Sequence, residues 1–84
     1  MRIVWDEPKR LANLDKHGLD FADLTMAFFE GAIIVPAREH RLAAIGRLDD
    51  GTLTVIFFRL GSEAISVISM RPASARERSM RHGH

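Results

Sequence analysis

The chain has no cysteine and no tyrosine among its 84 residues, and it has only three prolines and one tryptophan. Without thiols there can be no disulfide, thiolate metal site or cysteine nucleophile, so the fold must be held by packing and polar contacts alone. The absence suits a reducing cytoplasm. No apolar run approaches the ~18 residues of a membrane span, and the N-terminus lacks the basic-then-apolar pattern of a secretory leader. The expectation is a cytoplasmic protein without membrane contact. Also missing are a glycine-rich phosphate loop, an H-E-x-x-H or other paired-histidine spacing, and any Ser/His/Asp spacing that marks a triad. No metal and no cofactor are therefore expected, and His82 and His84 are read as a solvated, frayed tail. No repeat, linker or low-complexity segment divides residues 1–84, which are too few for two cores and read as one domain.

Charge of one sign is scarce only in part of the chain. The net charge is +1, yet residues 1–70 are slightly acidic and residues 71–84 carry Arg71, Arg76, Arg78 and Arg81 against Glu77 alone. Lys9 and Lys16 are the only lysines, so the cationic chemistry is that of arginine, whose planar fork matches phosphate and carboxylate.

The periodicities place the elements. Arg2 to Trp5 reads as a short strand. Asp6 or Glu7 caps a helix with Pro8 in its first turn; Leu11 and Leu14 are expected on its buried face, and Gly18 ends it. Asp20 caps a second helix, with Leu19 and Leu24 as a staple and Phe21, Leu24 and Phe28 packing inward. Ala32 to Pro36 is a short apolar run. Arg41 to Leu48 alternates, with Leu42, Ala44, Gly46 and Leu48 on one face and Arg41, Ala43, Ile45 and Arg47 on the other. Asp49-Asp50-Gly51 is a hairpin signal, Thr52 to Leu60 the strongest strand, and Gly61-Ser62-Glu63 a further turn. Ala64 to Met70 makes another strand, with Ser66 and Ser69 on opposite faces, and Pro72 is expected to break it. Ser74 and Glu77 form a capping box opening a basic last helix. The order β-α-α-β-β-β-β-α indicates an α+β fold: two N-terminal helices after a short strand, an antiparallel meander sheet, and a C-terminal helix. A core this small is marginal alone, so a partner is expected to cover apolar surface around Ala32–Val35 or on the last helix.

What chemistry remains is arginine plus histidine. Cleaving RNA without a metal takes a base for the 2′-hydroxyl, an acid for the leaving 5′-oxygen, and cations for the charge that develops at phosphorus. Histidine can be acid or base near neutrality, and arginine can grip phosphate with two parallel bonds. Lys16, His17, Arg41, Arg47, Arg59 and Arg71 can fill these roles if the sheet gathers them, and Arg76 on the basic helix is a further RNA contact. Each also has a plain reading. Lys16 and His17 sit in a helix's last turn, where positive charge offsets the dipole. Arg41, Arg47 and Arg59 can be the wet side of strands, Arg71 can pair with Glu77, and Trp5 can be a core lid.

Three blocks of residues, in order, resemble one family. Trp5-Asp6, Lys9, Asn13, Lys16-His17-Gly18 and Phe21 form the first. Arg41 with Ala44-Ile45-Gly46 forms the second. Val67-Ile68-Ser69-Met70-Arg71 with Ala73 and Glu77-Arg78 forms the third. Together they are similar to the BrnT family of small ribonuclease toxins from bacterial toxin–antitoxin pairs. The resemblance implies a RelE-like fold, endoribonuclease activity, and neutralisation by a BrnA-like ribbon-helix-helix antitoxin, through which alone operator DNA would be met. It implies Lys16, His17, Arg41 and Arg71 as catalytic residues and Lys9 and Arg47 as RNA contacts. The competing reading is a binding module for protein or nucleic acid without catalysis.

Overall fold

The computed structural model describes residues 1–49 and 51–82, with His82 described through its backbone only. The expected tail thus falls mostly outside the described residues, as does Asp50 of the expected hairpin turn. Strands β1 (Arg2–Trp5), β2 (Ile33–Pro36), β3 (Leu42–Leu48), β4 (Gly51–Leu60) and β5 (Ala64–Pro72) form one sheet in the order β1-β5-β4-β3-β2. Helices α1 (Glu7–His17), α2 (Met26–Glu30) and α3 (Ala75–His82) flank it. The class is α+β, with β2 to β5 as the expected antiparallel meander. The sheet as a whole is mixed, because β1 adds in parallel along β5. No helix among the described residues is long and apolar enough to cross a membrane.

The alternation along β3 sorts the two faces. Leu42, Ala44 and Gly46 pair with Phe57, Val55 and Leu53, and β5 continues that face through Ile65, Val67 and Met70. Phe21, Leu24, Phe28 and Phe29 pack on it as the main core. Gly46 is required there, since a Cβ would lie 3.0 Å from the Phe28 ring and 3.1 Å from Ala32 Cβ. The opposite face carries Arg41, Ala43, Ile45 and Arg47, then Thr54, Ile56 and Phe58, then Ser66, Ser69 and Arg71. The C-terminal helix α3 lies on its Thr54 end, where Thr54 Oγ1 donates to Glu77 Oε1 at 2.9 Å.

Four expectations are corrected. The second helix is two pieces: Asp20 caps a 3-10 turn at Phe21–Asp23, and the chain extends at Leu24 before Thr25 caps the separate α2. Leu11 and Leu14 are not buried; they are 52% and 37% exposed, while Asn13 is the buried residue of α1. The strand β5 runs through Pro72 rather than stopping before it. Met70 N–H points to the α1 side, and so does the nitrogen of Pro72 two residues on, so no ladder donor toward β4 is lost. Finally, Ser66 and Ser69 share a face. Ser66 pairs with Phe58 and Ser69 with Ile56, leaving Ile68 as an extra, bulged residue; the bulge reverses the alternation.

Candidate active site

Strand β1 pairs with β5 only as far as Trp5 opposite Val67. Beyond that point β5 presents an open edge, and α1 covers it. Asn13 takes the place of a strand there: its Oδ1 accepts from Met70 N at 3.0 Å, and its Nδ2 donates to Leu19 O at 3.1 Å. Arg10 steadies the start of the helix. It pairs with Glu7 at 2.7 Å and with Asp20 at 3.0 Å. Arg10 holds the Glu7 carboxyl below the usual range, and the Asp20 carboxyl is lowered by Ala22 N–H and then Arg10. Gly18, at φ +69°, closes the helix with its N–H on Leu14 O at 2.8 Å. Trp5 sets its ring edge-on to Phe21 and its indole N–H on Glu7, which is the lid role rather than a stacking platform.

The result is a cleft of about 250 Å³ between α1 and the bulged part of β5, lined by Lys9, Asn13, Lys16, His17, Ile68 and Ser69. Lys9 and Lys16 are exposed and His17 is half-buried. Three of the sequence-derived candidates therefore meet in one place. Arg71 lies two residues beyond Ser69 on the same face. Its fork is engaged: Nη1 and Nη2 donate to Glu77 at 2.7 and 2.9 Å, and Nη1 also reaches Pro72 O at 3.4 Å. Of five guanidinium donors, Nε–H and one Nη2–H remain. Arg71 is the first cause drawing the Glu77 carboxyl down to about 2.

Arg41 shares the open face, held loosely near Glu39 at 3.8 Å. By strand spacing it sits about 12 Å from Ser69, across two strands and two residues along. Arg47 is farther along that face at the opposite edge and lines a different cleft. Arg59 lines a small apolar cleft with Met1, Ile34 and Phe57 on the core side. Arg76 is exposed on α3. The structure thus gathers Lys9, Lys16 and His17, places Arg71 and Arg41 on the adjoining face, and sets Arg47 and Arg59 elsewhere. Sequence reasoning missed Arg10 and Ser69. The 10–13–17 spacing was the available signal, a helix face made of polar residues. Among the described residues no group of three or more His, Asp or Glu could hold a metal ion.

Fold and site define a small α+β protein whose first helix brings two lysines and a histidine to a cleft at a sheet edge. The model of the family described as the ribonuclease toxin BrnT of type II toxin–antitoxin systems matches residues 5–77. The chain belongs to that family. It is similar to the Brucella abortus ribonuclease toxin BrnT, whose crystal structure is 56% identical, with a TM-score of 0.82 over 88% of this chain and 97% of that one. No curated protein matches.

Proposed function

We propose that the chain is a metal-independent endoribonuclease of the RelE-like kind that acts in the cytoplasm and is neutralised by a BrnA-like ribbon-helix-helix antitoxin. Operator DNA is met only through that antitoxin. The observation that carries the catalytic reading is the meeting of Lys9, Lys16 and His17 in one cleft. An RNA strand laid there has its 2′-oxygen attack the adjacent phosphorus. The O2′–P bond forms, the P–O5′ bond breaks, a base takes the 2′-proton, and an acid supplies one to the leaving 5′-oxygen. The products are a 2′,3′-cyclic phosphate and a free 5′-hydroxyl. His17 is one of the two proton carriers. Lys16 steers the backbone, Lys9 contacts it farther along α1, and Arg41 with the free donors of Arg71 meets the charge on phosphorus. Arg59 and Arg76 are outlying RNA contacts. A cleft edged by lysines repels a metal ion, which favours proton chemistry.

The test is cleavage of structured RNA in EDTA by wild type beside His17→Ala, each shown to be folded by circular dichroism. A loss of about 10²–10⁴-fold in the variant is expected, the usual weight of one acid–base group. Equal cleavage by both would place the chemistry elsewhere. The engaged fork of Arg71 favours one other reading, a module that binds RNA or protein without turnover. Salt-sensitive RNA affinity with no cut product marks that case.

A further inference from the structure

A second and larger cleft, of about 600 Å³, opens at the opposite edge of the sheet, lined by Thr25, Phe28, Arg47, Leu48, Asp49 and Arg81 among others. Strand β2 begins pairing only at Ile33 opposite Ile45, so the last residues of β3 have no neighbour on that edge, and α2 and α3 approach each other across the gap. Arg81 reaches this place from α3 with its Nε buried and without a hydrogen-bond partner. Arg47 comes from β3, exposed, and no ion pair among the described residues involves it. Three other arginines are engaged, Arg10 with Glu7 and Asp20, Arg71 with Glu77 and Arg78 with Ala73 O; what sets Arg81 apart from the exposed arginines is that its unpaired Nε is buried.

A buried guanidinium N–H left unpaired forfeits its hydration with nothing in return, and such groups normally have a partner. The missing partner here is an acceptor that a second arginine also attracts. We propose that this cleft is a nucleotide subsite for the RNA strand, with Arg47 and Arg81 holding a backbone phosphate. The volume lies within the range of small-molecule sites and exceeds what one carboxylate side chain fills. Asp49 stands at the rim. It repels phosphate but accepts a hydrogen bond from a ribose hydroxyl or a base amine. The phosphate therefore lies toward the arginines and the sugar or base toward Asp49. From Ser69 to Arg47 the spacing of the sheet gives roughly 16 Å, two strands across and four residues along. In this proposal the subsite holds a different phosphate from the scissile one, so that it grips the strand away from the cut and sets which stretch of RNA reaches His17. The proposal rests on the reading of the chain as an RNA-cleaving protein.

The experiment measures the affinity of the folded protein for a labelled single-stranded 2′-O-methyl oligonucleotide, which cannot be cut, across a salt series. Compared are wild type, Arg81→Gln, the double variant Arg47→Gln/Arg81→Gln, and Arg38→Gln, which removes an exposed arginine outside the cleft. Affinity should fall about tenfold or more in the double variant, and the log–log salt slope should flatten by about 0.7 for each phosphate no longer gripped. Arg38→Gln should match wild type. Equal loss in Arg38→Gln would reduce the effect to net charge and overturn the subsite. So would an unchanged double variant, and so would a double variant that binds RNA normally but loses affinity for the antitoxin, which would make the cleft a protein contact. If wild type binds no RNA, the ribonuclease reading falls together with the subsite; if wild type binds and only the variants fail to differ, the subsite alone falls.

Discussion

Asn13 accepts a hydrogen bond from the backbone N–H of Met70, 57 residues further along the chain, at 3.0 Å. With its other hand it donates to Leu19 O. One side chain thereby fixes the first helix to the sheet and to the loop that follows it. Asn13→Ala leaves a buried N–H and a buried carbonyl without partners. A loss of about 2–4 kcal/mol is expected from two such groups, read as a shift of the urea midpoint at constant m. Asn13→Asp keeps the acceptor but sets a carboxylate against Leu19 O, so it should be destabilised as well. Any residual RNA cleavage should fall in both, because Lys16 and His17 ride on the same helix.

The Gly46 position supports a second prediction. Its backbone lies against the Phe28 ring, which is how α2 packs onto β3. Gly46→Ala forces ring and strand apart and should cost about 1–3 kcal/mol, the usual range for overpacking. Phe28→Leu alone strips packing from the ring's neighbours and is also destabilising. In the double variant the smaller side chain makes room for the new methyl, so the two losses should be less than additive in a thermal-denaturation cycle.

These two residues show what the sequence could and could not say. The strands were legible because β-branched residues, alternation and turn glycines agreed with one another, and the Ser74–Glu77 box forms as its spacing implied, with Ser74 N on Glu77 Oε1 at 2.8 Å and Glu77 N on Ser74 Oγ at 3.1 Å. The orientation of α1 was not legible. Its leucines suggested an apolar buried face, but the helix covers an open strand edge whose N–H groups need polar partners, and Asn13 answers that need. The bulge at Ile68 has no signature in the local pattern, so plain alternation puts Ser69 on the wrong face. The break at Leu24–Thr25 was hidden because Phe21, Leu24 and Phe28 all go inward anyway. Of the candidate site, Lys16 and His17 were readable from the helix end. That Arg47 lies at the opposite edge followed only from strand order, which no local spacing encodes.

The Glu77 carboxyl sits at about 2, against an ordinary value of 4.5, chiefly because Arg71 donates to it. A carboxyl lowered by folding takes up its proton in the unfolded chain first as the pH falls. Its contribution is therefore complete above pH 4.5 and is lost progressively toward pH 2. Because Arg71 is partly exposed, a loss of about 1–2 kcal/mol is expected over that window. Glu77→Gln should lower stability at neutral pH by a similar amount and flatten the pH dependence between these limits. Denaturant midpoints measured at several pH values check it; a variant as acid-sensitive as wild type would assign the titration to other carboxylates.

Arg71 and Glu77 also separate a clamp from a catalyst. In Glu77→Gln the clamp is weakened, but Arg71 keeps its charge and gains free donors. In Arg71→Ala both the clamp and the cation are gone. If Arg71 serves only to hold α3, the two variants lose similar stability and, at a temperature where both are folded, cut RNA equally well. The phosphate role predicts a different split. Arg71→Ala should lose about 10²-fold or more in cleavage at saturating RNA, in the range of one oriented electrostatic contact, while Glu77→Gln should stay within a few-fold of wild type. Arg71→Lys adds a third point. A point charge that cannot make the two-pronged contact should recover part of the stability and little of the cleavage, and recovery of both together would leave Arg71 with charge alone as its contribution.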